Sequence, residues 1–152
     1  MNKLDVLDDN LFVFGVVFVI ANKLDTLLDR EFKPIGMTAK QWFLTIVIEM
    51  LFDEAPTIKQ VAKAMGSSHQ NVKQVALKLE QKGLLVMEKD VNDGRATRLK
   101  LTEKSQTFWE QTQQKRGVFM DAVFKNLDKE ELANTKKALQ KMWTNILSLE
   151  AE

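Results

Sequence analysis

The stretch SSHQNVKQVALKLEQKGLLVMEKDVNDGRATRLKLTEKS, residues 67–105, changes its hydrophobic period partway along, and that change decides the fold. In the first half Val72, Val75, Ala76 and Leu79 recur at helical spacing, and Gly83 stands where a helix C-terminal glycine belongs. Beyond it, residues 84–89 and 96–101 are short strand-like runs, the second alternating as Thr97-Arg98-Leu99-Lys100-Leu101. Asn92-Asp93-Gly94 between them is a turn signal for a hairpin. The order is helix, turn, helix, hairpin: a winged helix-turn-helix.

Working outward, short polar residues followed three positions later by a side chain able to reach back mark helix starts. Thr38 with Gln41, Thr57 with Gln60 and Ser67 with Gln70 fit; Asp128 with Glu131 is a looser version, and Thr102 is a plain cap. The pattern predicts helices over about 5–32, 38–52, 57–65, 68–82, 102–126 and 128–150. In the first, residues 11–20 have strand-like composition, but Leu4, Leu7, Leu11, Phe14, Phe18, Ala21, Leu24 and Leu28 keep helical spacing, and the helix is expected to be buried on more than one side. Apolar stripes at the other end, Phe108, Trp109, Phe119 and Phe124, then Leu132, Leu139, Met142, Trp143, Ile146 and Leu147, call for a partner surface.

The chain has 152 residues and no cysteine, which excludes a disulfide framework, a thiolate metal site and a thiol switch. His69 is the only histidine. With no phosphate loop, Cys/His pair or metal-ligand cluster, no catalytic or metal-ligating residue and no cofactor is expected, and the chain is not read as an enzyme. The apolar run 11–20 is shorter than the ~20 residues of a membrane helix, and Asp8 and Asp9 precede it where a signal peptide carries positive charge. The expectation is a cytoplasmic protein with no membrane contact. Net charge is +1, yet its distribution is uneven. Residues 1–54 carry 5 basic and 9 acidic side chains, residues 55–102 carry 9 and 4, and residues 103–152 carry 8 of each. The positive middle third is a candidate polyanion surface.

Residues 67–105 resemble the MarR family of transcriptional regulators. The resemblance rests on Leu79, Lys82 and Gly83 at the end of the recognition helix, Asp93 and Arg95 in the wing, and Leu101-Thr102 after it; Ser105 replaces a usual glycine and Met87 a common arginine. The fold it implies is mainly α with a small β-hairpin wing, a single domain over 1–152. The winged helix-turn-helix core would cover about 55–102, with dimerisation helices about 1–32 and 103–152. It further implies a homodimer on palindromic duplex DNA, with recognition helices in successive major grooves. Function would be sequence-specific transcription regulation, as a repressor relieved by a small aromatic or anionic effector; the alternative is a helical adaptor that binds protein instead. An adaptor would tolerate loss of the Asp-x-Arg wing and the basic middle third, and both are present.

Ser68, Gln70, Asn71, Lys73, Gln74 and Lys78 lie off the packing face of the recognition helix. Alone they are a solvated face; in a winged arrangement they are DNA contacts, because Asn and Gln bond adenine bidentately and Lys reaches guanine or phosphate. Ser67 and Ser68 at the helix start offer a phosphate site. His69 beside them is either a DNA contact or an uninvolved exposed histidine. By the resemblance, Arg95 enters a minor groove and Asp93 holds its guanidinium; the plainer account makes them a turn and its solvated flank. Phe14, Phe18, Trp42 and Ile46 are read first as core, and the resemblance makes them the candidate lining of an effector pocket.

Overall fold

A computed structural model describes residues 3–152, Leu4 by its backbone alone. The first two positions of the expected N-terminal dimerisation segment, and the Leu4 side chain in its stripe, lie outside the described residues. The elements are α1 (Asp9–Phe32), α2 (Ala39–Leu51), α3 (Ile58–Met65), α4 (His69–Gln81), β1 (Leu85–Lys89), β2 (Thr97–Leu101), α5 (Glu103–Gln111), α6 (Gln113–Val123) and α7 (Lys129–Glu150). Short 3-10 turns, Lys3–Val6 and Lys33–Ile35, flank α1. The chain divides into two compact units, Met1–Phe108 and Trp109–Glu152.

In the first unit the core forms where α2, α3, α4 and the hairpin meet. Leu44, Val61, Leu79 and Leu99, one from each, are wholly buried. Capping positions these elements. Thr38 and Thr57 form complete capping boxes with Gln41 and Gln60, and Asp29 Oδ1 accepts from Ala39 N–H at 2.6 Å, tying α1 to the start of α2. β1 and β2 pair antiparallel, Leu85 with Leu101 through Lys89 with Thr97. A third short segment joins them: Leu99 N–H donates to Pro56 O at 2.8 Å, and Thr57 bridges to Arg98.

Two expectations change. The helix expected over 102–126 is two helices, because Thr112 N–H, Thr112 Oγ1 and Arg116 Nη2 all donate to Trp109 O and interrupt the ladder there. α1 is not buried on several sides within the chain. Only Phe32 is buried, and Phe14 and Phe18 are 63% and 59% exposed. The apolar run 11–20 is also part of a longer helical stretch, residues 9–35, that by length and composition is apolar enough to cross a bilayer.

In the second unit, Asp128 and Glu131 complete the capping box that starts α7. Phe124, Leu132, Leu139 and Trp143 line an open groove of about 700 Å3 there.

Two glycines separate a needed backbone from a permissive one. Gly83 has φ 73°, in the left-handed region. Its N–H donates to Glu80 O and Leu84 N–H to Leu79 O, which closes α4 in a Schellman motif. Gly94 sits in a tight turn, closed by Ala96 N–H donating to Asp93 O at 3.0 Å, but its φ lies outside the left-handed region. The strands are joined by a wider loop that Asp90 holds, so no glycine is required. Gly83→Ala should therefore cost about 1–2 kcal/mol of stability, whereas Gly94→Ala should stay within about 0.5 kcal/mol of the parent; urea denaturation of the two variants checks the contrast.

Candidate nucleic-acid interface

The start of α4 is set by the turn before it. Ser67 N–H donates to Ala62 O at 2.9 Å, closing α3, so Ser67 is spent on the turn. The cap falls one residue later than the sequence suggests: Ser68 Oγ accepts from Asn71 N–H at 3.1 Å, and no Ser67–Gln70 box forms. That shift leaves the Gln70 side chain outward. Ser68, His69, Gln70, Asn71, Lys73, Gln74 and Lys78 are all exposed, and Ser67 is half-buried. On the opposite side Val72, Ala76 and Leu79 are buried.

The other end of α4 is tied to both neighbours. Lys82 Nζ donates to Gly36 O and, at 3.0 Å, to Gln41 Oε1. Burial, then the nearby Lys78 ammonium, pulls the Lys82 pKa below 10.5. Thr102 Oγ1 donates to Gly83 O at 2.8 Å and Lys104 Nζ to Lys82 O at 2.8 Å. Glu80 Oε2 accepts from Met87 N–H at 2.8 Å. The helix and the hairpin are thus joined at several backbone positions.

The wing is organised by a residue that sequence reasoning missed. Asp90 Oδ2 accepts from Asn92 N–H (3.2 Å) and Asp93 N–H (2.9 Å), while Oδ1 pairs with Arg98 Nε. Arg98 Nη1 donates to Ala55 O at 2.6 Å. Arg98 therefore fastens the wing to the segment ahead of α3. The available signal was the register: with Lys89 opposite Thr97, Asp90 and Arg98 are diagonal neighbours on one face. The Asp93 carboxylate bonds Arg95 through the backbone, accepting its N–H at 3.0 Å, and not through the guanidinium as expected. Arg98–Asp90 and Arg30–Glu31 form ion pairs. Arg95 is exposed at the wing. Of the basic middle third, Arg98 and Lys82 serve the fold, and Lys59, Lys63, Lys73, Lys78, Lys89, Arg95 and Lys100 remain exposed.

The four candidate pocket residues do not share one wall within the chain. Phe14 and Phe18 meet edge to face at 5.5 Å on the exposed side of α1. Trp42 and Ile46 are half-buried on α2, Trp42 lying 6.0 Å from Phe32. Trp42 Nε1 is buried without a hydrogen-bond partner.

No family model matches the sequence. Solved structures do resemble the chain along nearly its whole length. A MarR protein from Peptoclostridium difficile is 22% identical, with a TM-score of 0.76 over 96% of this chain and 92% of that one. A MarR transcriptional regulator from Methanosarcina mazei is 16% identical, with a TM-score of 0.78 over 91% and 98%. The S. aureus MepR–DNA complex is 20% identical, with a TM-score of 0.72 over 88% and 97%. The fold is the winged-helix fold of the MarR regulators, mainly helical with a two-stranded wing.

The donors around Asp90, Arg98 first, hold its carboxyl below the usual 3.8 although burial pushes the other way. A folded pKa below the unfolded one adds stability above the ordinary carboxylate range, and that stability is lost as pH falls through the folded value. Asp90→Ala should therefore lower the melting temperature at neutral pH, with the gap to the parent closing as pH falls below the usual carboxylate range. Amide exchange at Asn92 and Asp93 should lose protection in the variant; unchanged protection would refute the clamp.

Proposed function

We propose that the chain is a DNA-binding transcriptional regulator that acts as a homodimer on palindromic duplex DNA. The observation that carries this reading is the exposed polar and basic face of α4, residues Ser68 to Lys78, beside a wing that presents Arg95. α4 lies in a major groove, where Gln70, Asn71, Lys73 and Gln74 meet base edges and Lys78 meets phosphate or guanine. Ser67, Ser68 and His69 meet the backbone at the helix start, where N–H groups and the helix dipole favour phosphate. Arg95 enters the adjacent minor groove, whose negative potential attracts a guanidinium. Asp93 acts on it through the backbone bond. No enzymatic step is part of this reading.

The exposed apolar side chains of α1 and α7 belong against a second copy. Phe14, Phe18, Trp143 and Ile146 are each at least half exposed in one chain, more apolar surface than a lone soluble chain leaves open. A bilayer is the poorer partner for α1. The stretch without charged or amide side chains, residues 11–21, rises only about 16 Å at the α-helical 1.5 Å per residue, roughly half the ~30 Å hydrocarbon core. Asn22, Lys23 and Asp25 follow at once. This supports the cytoplasmic assignment. The reading includes repression relieved by a small aromatic or anionic effector, supported by the buried, unpartnered Trp42 Nε1, a donor suited to an anion.

Selection from a random duplex library tests the proposal. Recovered sites should contain two half-sites about 10 bp apart, one helical turn. Arg95→Ala should weaken binding by about 1–3 kcal/mol per subunit while sedimentation and melting temperature stay as in the parent. Trp143→Asp should convert dimer to monomer by sedimentation. Failure to enrich any duplex, or a monomeric parent, defeats the reading.

A further inference from the structure

Alternate residues of β1 form one face of the hairpin, and that face runs from the core out to solvent. Leu85 is buried, Met87 half-buried and Lys89 exposed; Leu101, Leu99 and Thr97 stand opposite them. Asp90 N–H donates to Ala96 O at 3.0 Å, so the pairing continues one step past the last strand pair. Beyond that step the ladder ends: Ala96 N–H donates to Asp93 O at 3.0 Å, closing a turn that carries Arg95, with Val91 on the other limb of the same loop. Val91 is 97% exposed, the most exposed large apolar side chain among the described residues.

Turn positions ordinarily go to Gly, Asn, Asp, Ser or Pro, each for a backbone reason. Valine has none of these uses, and at this exposure its methyls add nothing to the core. Its frame is nonetheless fixed: the Asp90 carboxylate takes the next two backbone N–H groups and pairs with Arg98, which is bonded to Ala55 O. A stiff, β-branched apolar group is thereby held out to solvent on the same loop that exposes Arg95.

We propose that Val91 is a specificity residue of the wing, packing into the minor groove beside Arg95 and rejecting G·C pairs at that step. The inference rests on the reading above, in which the wing enters a minor groove. The physical basis is the guanine 2-amino group, the one donor that distinguishes G·C from A·T in that groove. Valine methyls laid over it take its hydrogens from water and return no acceptor. An A·T pair has no such group, so the same contact there is apolar against the groove wall, with Arg95 free to reach the base acceptors.

The experiment uses the full chain and a duplex recovered from the random library, with each base pair under the wing changed in turn to A·T, G·C, inosine·C and diaminopurine·T. Inosine keeps the major-groove edge of guanine and lacks the 2-amino group; diaminopurine adds that group to an A·T pair. A·T and inosine·C duplexes should bind alike, G·C and diaminopurine·T about tenfold weaker, and Val91→Ser should shrink that ratio to about twofold, within the scale of one base pair's discrimination. Arg95→Ala should instead lower affinity for all four. Affinities that group inosine·C with G·C, or a Val91→Ser protein that keeps the tenfold ratio, overturn the assignment while DNA recognition stands. A parent that enriches no duplex overturns the underlying reading instead.

Discussion

The reversal of the chain after α4 is the constraint on which the site depends. The spacing of α4 and the hairpin is fixed by bonds to backbone atoms at a single corner. The carbonyl oxygens of Lys82 and Gly83 accept from Lys104 Nζ and Thr102 Oγ1. Both lie just past the last turn of α4. Satisfying them from the far side of the hairpin converts a helix end into a joint between α4 and the strand that leaves the wing. The side chain of Lys82 then carries the same corner to the start of α2. Leu79, Lys82, Gly83 and Thr102 are thus framework residues, although they sit inside the stretch that resembles a DNA-binding motif.

This separation of framework from contact explains how well the sequence could be read. Helix order, the hairpin and the outward face of α4 were legible because each is local: capping pairs three residues apart, a period of 3.6 or 2, a glycine after the last apolar turn. The capping boxes of α2, α3 and α7 form as their sequences indicate. The Ser67–Gln70 pair has the same pattern and does not form, because the Schellman bond from Ser67 N–H to Ala62 O competes for that residue. Two adjacent serines gave the pattern two registers, and the preceding turn chose between them.

What was not legible depends on long-range placement. Arg98 and Asp90 read as two more charges until the register brings them to one face and Ala55 arrives from a distant segment. The same holds for the break at Thr112, where Arg116 reaches Trp109 O from seven residues on. Side-chain bonds of this kind have no sequence period, so they escape any reading based on pattern. The residues named for a pocket show the same limit: Phe14 and Phe18 follow helical spacing faithfully, but spacing says which residues share a face and not what covers that face.

The charge on the interface follows from the same distinction. Counting basic residues overstates the surface available to a polyanion, because a cation that already donates to carbonyls or a carboxylate has little left for phosphate. Lys82 is such a cation, and Arg98 is another. Removing both from the tally still leaves exposed lysines on α3 and α4 and Lys89, Arg95 and Lys100 on the hairpin. The two withdrawn charges are the ones that hold the geometry, and the rest occupy surfaces that the geometry presents. If this face binds DNA as proposed, a substitution at Arg98 acts through the position of the wing that carries Arg95 and Val91. One at Lys73 or Lys78 acts through its own contact, and added salt should weaken the charged part of that effect far more than the effect of Arg98.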